Sequence, residues 1–166
     1  MSSPVQDFSQ LEAPADALIA KYPQKRSAVL PLLHLVQDQE RHVNDQAIRW
    51  IAAKLGLQPI NVWEVVSFYP SFKEKPMGRV HLRVCKTLSC MLQGAEETGK
   101  ALCASLGCEM GQTREDGEVS IEWVECLACC DKAPVVLVGE RLHTGVTAEK
   151  AEKLVAELKL PKKGNA

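Results

Sequence analysis

Residues 79–90 of the chain read Arg79-Val80-His81-Leu82-Arg83-Val84-Cys85-Lys86-Thr87-Leu88-Ser89-Cys90. Within this stretch Val80, Leu82 and Val84 alternate with polar residues, which is the period of a half-buried β-strand. The strand runs directly into Cys85, and Cys90 follows after a gap of four residues. The stretch therefore predicts a strand that carries a pair of cysteines at its carboxyl end.

A second stretch repeats this arrangement further along the chain. Val119, Ile121 and Trp123 alternate with polar residues, their strand ends at Cys126, and Cys130 follows after a gap of three residues. If the two strands are neighbours, the loops leaving their carboxyl ends lie side by side, and we expect four thiolates to converge there. Iron–sulfur clusters need such ligands, which are soft, anionic and rigidly held, with backbone N–H groups nearby.

The remaining periodicity predicts helices before the first strand and a mixed arrangement after it. Helices are expected at 13–22, 26–40, 45–55, 59–68, 91–106 and 147–158, and strands at 79–84, 119–125, 134–138 and 141–144. This order predicts an α/β protein in which a helical bundle precedes a domain with a small mixed sheet. The expected boundaries are a flexible N-terminus over 1–12, a helical domain over 13–75, a sheet domain over 76–160 and a C-terminal tail over 161–166.

Composition excludes several classes of function. The 166 residues are 46% hydrophobic, and 20 basic side chains nearly balance 21 acidic ones. Without a basic excess, binding to nucleic acid or to anionic lipid is not expected. No apolar run reaches the ~20 residues that span a bilayer, and the N-terminal residues lack a secretory signal. We therefore expect a cytoplasmic protein with no membrane insertion of its own.

The seven cysteines are confined to the second half of the chain: Cys85, Cys90, Cys103, Cys108, Cys126, Cys129 and Cys130. An odd number in an intracellular chain favours metal or redox chemistry over a disulfide framework. Cys103 and Cys108 flank the predicted end of a helix and are expected to be buried thiols. Neither cysteine loop contains a histidine, which argues against a Rieske-type centre.

Two alternatives to a cluster remain open on the cysteine spacing alone. Structural zinc prefers cysteine gaps of two to four residues, although it usually serves domains that lack a good core. The Cys126–Cys129 pair also has the C-x-x-C spacing of thiol oxidoreductases. That chemistry places the first cysteine at a helix N-terminus, whereas Pro134 and a strand follow here within a few residues. A zinc-stabilised interaction module and a thiol oxidoreductase are therefore the rival functions.

A [2Fe-2S] cluster with four thiolates carries a charge of roughly −2 when oxidised and −3 when reduced. Such a charge needs amide donors or cations close by when it is partly buried. The helix expected to begin near Met91 offers amide donors, and Lys86 and Lys132 flank the two loops. The lysines are expected either to face the cluster or to be ordinary surface residues.

Three blocks of sequence carry a resemblance to a known family. They are 83–90 with Cys85 and Cys90, 124–130 with Cys126 and Cys130, and 133–135, together with the N-terminal segments 23–28 and 65–69. They resemble the NuoE-type subunit of bacterial NADH:quinone oxidoreductase (complex I), which is thioredoxin-like and carries a 2Fe-2S cluster. The resemblance covers about residues 13–160 and implies a thioredoxin-like ferredoxin domain after the helical bundle. It also implies one 2Fe-2S cluster on these four cysteines.

The resemblance further implies a place in an electron-transfer complex. The partner would be the larger flavoprotein subunit (NuoF type), which binds FMN and NADH, together with other hydrophilic subunits of complex I. The chain would exchange single electrons with that FMN and have no self-contained active site. Its location would be cytoplasmic, peripheral to the inner membrane. Similar subunits serve NAD-linked formate dehydrogenases and hydrogenases.

Two positions depart from the family pattern, and four aromatic residues bear on docking. The family commonly has glycine at the position of Ala128 and a residue other than cysteine at Cys129, so Cys130 is the fourth ligand only by motif alignment.

The aromatic residues that are candidates for contact with the flavoprotein are Trp50, Trp63, Phe68 and Tyr69. Burial in the helical core is the preferred interpretation for Trp63 and Phe68.

Overall fold

A computed structural model describes residues 7–160, and the chain divides into two units between Pro76 and Met77. The predicted boundary lay one residue earlier. The predicted tail 161–166 and the first six residues of the predicted flexible N-terminus lie outside the described residues. No helix among residues 7–160 is long and apolar enough to cross a bilayer.

Four helices form the first unit, which we call the helical unit: α1 Glu12–Ile19, α2 Val29–Glu40, α3 Asp45–Leu55 and α4 Pro59–Phe68. Helix α3 begins where Asn44 accepts a hydrogen bond from the backbone N–H of Ala47, and it ends at Gly56 with φ 68°. A 3₁₀ turn over Lys25–Ala28 precedes α2, so Pro31 lies in the first turn of that helix, where it removes no intrahelical hydrogen bond.

The described part of the segment 1–12 contains a 3₁₀ turn and buried side chains, which its polar composition did not predict. Ser9–Leu11 form a 3₁₀ turn that leads into α1, and Phe8 and Leu11 are buried in the core of the helical unit. The ring of Phe8 stacks on Trp50 with centroids 5.1 Å apart. These two apolar side chains pack the segment before α1 into the core of the helical unit, where Phe8 contacts α3.

The expected burial of Trp63 and Phe68 is wrong. Trp63 is 46% exposed and Phe68 75% exposed, whereas Val62 and Val66 form the buried face of α4. Tyr69 remains 40% exposed. Trp50 is half-buried, because its ring lies on Phe8. Helix α4 therefore presents a surface of large apolar side chains outside the core.

The second unit, here called the sheet unit, contains a five-stranded mixed sheet and three helices. Its elements are β1 Val80–Cys85, α5 Leu88–Leu92, α6 Ala95–Leu106, β2 Gln112–Thr113, β3 Val119–Val124, β4 Val135–Val138, β5 Arg141–Thr144 and α7 Ala148–Glu157. The strand order is β2-β3-β1-β4-β5. Strands β1 and β3 are parallel, and the other neighbours are antiparallel. The predicted α/β class with a small mixed sheet is confirmed.

Two details of the sheet unit differ from the prediction. The single helix expected over 91–106 is divided into α5 and α6 by Gly94, which has φ 86°. The short strand β2 lies in the stretch that was interpreted as turns. Helix α5 also begins at Leu88, before the predicted start at Met91, so Cys90 lies inside a helix instead of before one.

The core of the sheet unit lies between the sheet and the pair α6 and α7. Its buried side chains come from alternate strand positions and from one face of each helix: Leu82, Val84, Leu102, Leu106, Ile121, Val136, Ala151 and Leu154. In β1 and β3, Leu82 pairs with Ile121 and Cys85 with Val124. This register aligns the carboxyl ends of the two strands.

A buried arginine joins the end of α6 to the turn before β3. Arg114 is 7% exposed, and its Nη1 donates to the carbonyl of Leu106 at 3.0 Å. Its Nε lies 2.9 Å from both carboxylate oxygens of Asp116. The arginine hydrogen bond and the N–H of Glu118 hold the pKa of Asp116 below its usual range. The Asp116 carboxylate therefore stabilises the fold while it is ionised.

We expect Asp116→Asn to destabilise the chain at pH 7, and the difference from wild type to shrink as pH falls. Since the folded-state pKa of Asp116 is lowered, its stabilising effect is complete above about pH 4 and is lost as pH falls through that pKa. The measurement is the free energy of unfolding of both proteins between pH 7 and pH 3. Glu115→Gln, an adjacent exposed change of equal charge, is the control. A difference that stays constant with pH would contradict the interpretation.

Candidate metal centre

Two cysteine loops lie side by side at one end of the sheet. Cys85 is the last residue of β1, and Cys126 follows β3 by two positions. Because β1 and β3 are parallel neighbours, both loops leave the same edge, as predicted. The backbone N–H of Lys86 donates to the carbonyl of Val124 at 2.9 Å, which extends this pairing into the loops.

The four candidate thiols interact within this region as two pairs. The Sγ atoms of Cys126 and Cys130 are 3.5 Å apart, and Cys85 and Cys90 share a thiol–thiol hydrogen bond. Two thiolates that bind one tetrahedral metal at about 2.3 Å lie about 3.8 Å apart, so the separation of Cys126 and Cys130 is close to that of two ligands. Among residues 7–160, no three His, Cys, Asp or Glu side chains are grouped to hold one ion. The four thiols therefore lie at this end of the sheet as two adjacent pairs, and Cys130 is close enough to act on Cys85 and Cys90 electrostatically.

The two pairs differ in exposure. Cys85 and Cys90 are each 1% exposed and pack with Ala95 and Val135, whereas Cys126 and Cys130 are exposed. One side of the site is thus formed by the protein interior, and the other side faces outward.

Backbone N–H groups point at the sulfur atoms. Ala128 N–H donates to Cys126 Sγ at 3.3 Å, and this bond, with the Cys130 thiol, lowers the pKa of Cys126. Burial acts to raise the pKa of Cys85, but hydrogen bonds from Thr87 and from the backbone N–H of Leu127 bring it below its usual value. These donors stabilise negative charge on sulfur, as ligands of a metal centre require.

The pKa values of Cys90 and Cys130 are raised instead of lowered. Burial, followed by the Cys85 thiol, raises the pKa of Cys90 to about 11. The Cys126 thiol raises the pKa of Cys130. Both are neutral thiols in the free chain at pH 7, so metal binding there releases protons.

Sequence reasoning missed two hydroxyl groups of the site. Thr87 Oγ1 lies 3.2 Å from Cys85 Sγ and also hydrogen-bonds Cys126, while the Ser89 hydroxyl hydrogen-bonds Cys130. Both residues lie in the four-residue gap between Cys85 and Cys90. The sequence feature that could have indicated them is the pair of small hydroxyl side chains between the two cysteines of one loop.

The other three cysteines differ in burial and in the groups that they contact. Cys129 is half-buried, and its Sγ is 3.8 Å from Asp131 Oδ1. Cys108 is buried, as expected, and its thiol donates to the carbonyl of Gln112 at 3.3 Å, whereas Cys103 is only half-buried. Since Cys130 contacts Cys126 and Cys129 is directed to Asp131, the geometry favours Cys130 as the partner of Cys126.

The cations expected beside the site make only a modest contribution. Lys86 Nζ lies 3.3 Å from Glu125 Oε1, so a neighbouring carboxylate balances its charge. Lys132 is exposed at the end of the 3₁₀ turn Cys130–Lys132. Backbone N–H groups and hydroxyls are thus the main donors around the sulfur atoms.

Comparison with known proteins identifies a matching family and similar subunits. A family model described as thioredoxin-like [2Fe-2S] ferredoxin matches residues 15–159. The Thermus thermophilus "NADH-quinone oxidoreductase subunit 2" is 41% identical over 147 residues, which are 87% of this chain and 81% of that protein. An E-type subunit of NADH-quinone oxidoreductase from Rhizobium meliloti is 36% identical over 140 residues, which are 84% and 83% of the two chains.

Among solved structures, an NAD⁺-reducing [NiFe]-hydrogenase in the air-oxidised state has a similar fold. Its TM-score is 0.66 at 22% identity, over 77% of this chain and 22% of that one. This likeness supports the fold alone.

The fold and the match over residues 15–159 show that the chain belongs to the thioredoxin-like [2Fe-2S] ferredoxin family. Within that family, the curated relatives named above are subunits of NADH-quinone oxidoreductase. The resemblance inferred from the cysteine motifs is confirmed.

Ala128 has φ 57°, which is one of three positive φ values among non-glycine residues of 7–160. An alanine in this left-handed conformation costs about 1–2 kcal/mol because its Cβ approaches the carbonyl oxygen. We therefore expect Ala128→Gly to raise the free energy of unfolding by about 1 kcal/mol, since glycine avoids that contact. Chemical denaturation of the metal-free chain provides the measurement.

Ala104→Gly is the matched control, because Ala104 is exposed within helix α6. There the same change should destabilise the chain by about 1 kcal/mol. Equal destabilisation by both changes would show that the loop at Ala128 is not strained.

Proposed function

We propose that this chain is an electron-transfer subunit that binds one [2Fe-2S] cluster through Cys85, Cys90, Cys126 and Cys130. The observation that carries the proposal is the meeting of two thiol pairs at the carboxyl ends of parallel strands β1 and β3. Two pairs of thiolates suit a centre with two irons, whereas structural zinc takes four ligands about one ion. When bound, such a cluster accepts and releases one electron at a time.

The residues present fit the charge of that group. Three backbone N–H groups reach the sulfur atoms of Cys85 and Cys126, and the backbone N–H of Val135 reaches Cys90. The Thr87 hydroxyl adds a donor between the two loops. These groups are held by strands and short turns, so they require little reorganisation when the negative charge increases by one.

A thiol oxidoreductase is less well supported by the local structure. After Cys129 the chain forms only the 3₁₀ turn Cys130–Lys132 and then enters β4. No α-helix lies between Cys126 and β4 to lower the pKa of the first cysteine in the manner of C-x-x-C enzymes.

The proposed setting is the NADH-oxidising module of an NADH:quinone oxidoreductase. There the larger flavoprotein subunit (NuoF type) binds NADH and FMN, and this chain exchanges single electrons with the FMN. The names of the relatives support this setting. It places the chain on the cytoplasmic side, attached peripherally to the membrane through other hydrophilic subunits of the complex.

Two exposed apolar surfaces support contact with such a partner. In the helical unit, Ile60 is 61% and Phe68 75% exposed on α4; the exposed Trp63 lies three residues after Ile60, and Tyr69 directly follows Phe68. In the sheet unit, Leu88 and Leu92 of α5 are 75% and 77% exposed, two residues on either side of Cys90. Large apolar side chains at the surface are typical of protein–protein contacts.

The ligand set predicts opposite effects for two adjacent cysteines. Cys130→Ser should lose most of the bound iron and visible absorption, because Cys130 pairs with Cys126. Cys129→Ser should retain about two irons per chain, because its thiol is directed to Asp131. Iron analysis and absorption spectra of the anaerobically purified variants provide the measurement. The reverse result would assign the fourth ligand to Cys129.

The function predicts that NADH reduces the cluster only through the flavoprotein. We expect a paramagnetic signal from the reduced cluster after NADH is added to the chain with its flavoprotein subunit, and none with the chain alone. Dithionite, which reduces the cluster directly, is the positive control. Reduction by NADH without the partner, or no reduction with the partner where dithionite succeeds, would contradict the proposed place in the complex.

A further inference from the structure

Cys126 and Cys130 are the only two exposed cysteines among the seven, all of which lie within residues 7–160. Their Sγ atoms are 3.5 Å apart, and three residues separate them in the chain. An exposed dithiol with such a short separation has a chemistry of its own when no metal holds the two sulfur atoms.

We propose that the metal-free chain forms a reversible Cys126–Cys130 disulfide, and that this bond blocks uptake of the cluster until a dithiol reductant opens it. The disulfide rests only on the thiol geometry. The block on uptake rests on the proposed function, since it matters only if these cysteines are cluster ligands.

The bond needs only a small movement. A disulfide has an S–S length of about 2.05 Å, so the two sulfur atoms must approach by about 1.5 Å. Both side chains are exposed and can rotate without displacing core residues. The helix and strand that hold Cys85 and Cys90 need not change.

The surroundings of the other cysteines favour a disulfide between Cys126 and Cys130 over other pairings. Cys129 and Cys130 are adjacent in the chain, and their Cα atoms, about 3.8 Å apart, are too close for an ordinary bridge. Cys85 and Cys90 are each 1% exposed, which hinders access of an oxidant. The thiol of buried Cys108 is hydrogen-bonded to the carbonyl of Gln112.

Hydrogen peroxide is the oxidant that we assign to the step. The Cys126 sulfur, as a thiolate, attacks one peroxide oxygen and breaks the O–O bond, which leaves a sulfenic acid and one water. The Cys130 thiol then gives up its proton and attacks that sulfur, and the sulfenic oxygen leaves with this proton as a second water. In total two thiols and one peroxide give one disulfide and two waters, so sulfur loses two electrons and the peroxide gains two.

The consequence for the site is direct. The disulfide occupies both sulfur atoms of the exposed pair, and neither can then act as a thiolate ligand. Of the four proposed ligands, only the buried pair Cys85 and Cys90 then remains free to bind metal. The same bond protects the exposed thiols from irreversible oxidation while the chain lacks its metal centre.

The test uses the full chain, stripped of metal and reduced under anaerobic conditions. After one equivalent of hydrogen peroxide, free thiols are alkylated and the peptides are analysed by mass spectrometry. We expect the intact mass to fall by about 2 Da before alkylation, as the balanced reaction requires. The other five cysteines should be alkylated.

Three variants locate the bond. Cys129→Ser should form the disulfide as wild type does, whereas Cys126→Ser and Cys130→Ser should form none within the chain. Absence of the disulfide in wild type, or its persistence in Cys130→Ser, would overturn the assignment.

A second arm tests the block on uptake with Cd²⁺, whose thiolate absorption reports binding without cluster assembly. The oxidised chain should bind Cd²⁺ at least tenfold more weakly than the reduced chain, and treatment with dithiothreitol followed by its removal should restore binding. Equal binding by both forms would overturn the block.

Reduced chain incubated with iron and sulfide is examined in parallel for its absorption spectrum. If the reduced chain fails to assemble a cluster, the proposed function fails, while the disulfide is still decided by the mass measurement. The two failures are therefore distinguishable.

Discussion

The parallel pairing of β1 with β3 is the constraint on which the site depends. Each strand ends at a cysteine loop, and the register that places Cys85 opposite Val124 aligns those ends. An antiparallel arrangement of the same two strands would place the loops at opposite edges of the sheet. Helices α6 and α7 cover one face of the sheet, and their apolar contacts with β1 and β3 hold the strands that carry the loops.

The two thiol pairs then acquire different environments from the same edge. Cys85 and Cys90 are enclosed with Ala95 and Val135, whereas Cys126 and Cys130 face outward. The enclosed pair gives rigidity and excludes water, and the exposed pair brings the site within reach of a partner or a small oxidant. This asymmetry underlies both the proposed electron transfer and the proposed disulfide of the metal-free chain.

Much of this arrangement could be predicted from the sequence. The alternation in residues 79–84 and 119–124 correctly predicted both strands, and the cysteines after them indicated the candidate site, because periodicity and ligand type are local properties. The predictions that were wrong concern residues whose burial depends on contacts with distant parts of the chain. Phe8 is buried because it stacks on Trp50. Phe68 is exposed because helix α4 buries Val62 and Val66 instead, and the local sequence does not show which face of the helix is buried.

Within the site, sequence identified the sulfur atoms better than their surroundings. The hydroxyls of Thr87 and Ser89 act across the gap between two loops, so their roles appear only once β1 and β3 are paired. The positive φ of Ala128 could not be predicted from the residue itself, because alanine does not favour that conformation.

The most direct test of the central claim is the metal content of the chain as isolated without exposure to air. Iron and acid-labile sulfide should each be present at about two per chain, with a paramagnetic signal that appears on one-electron reduction. A folded, colourless chain that contains zinc, or that contains neither iron nor sulfide, would contradict the account.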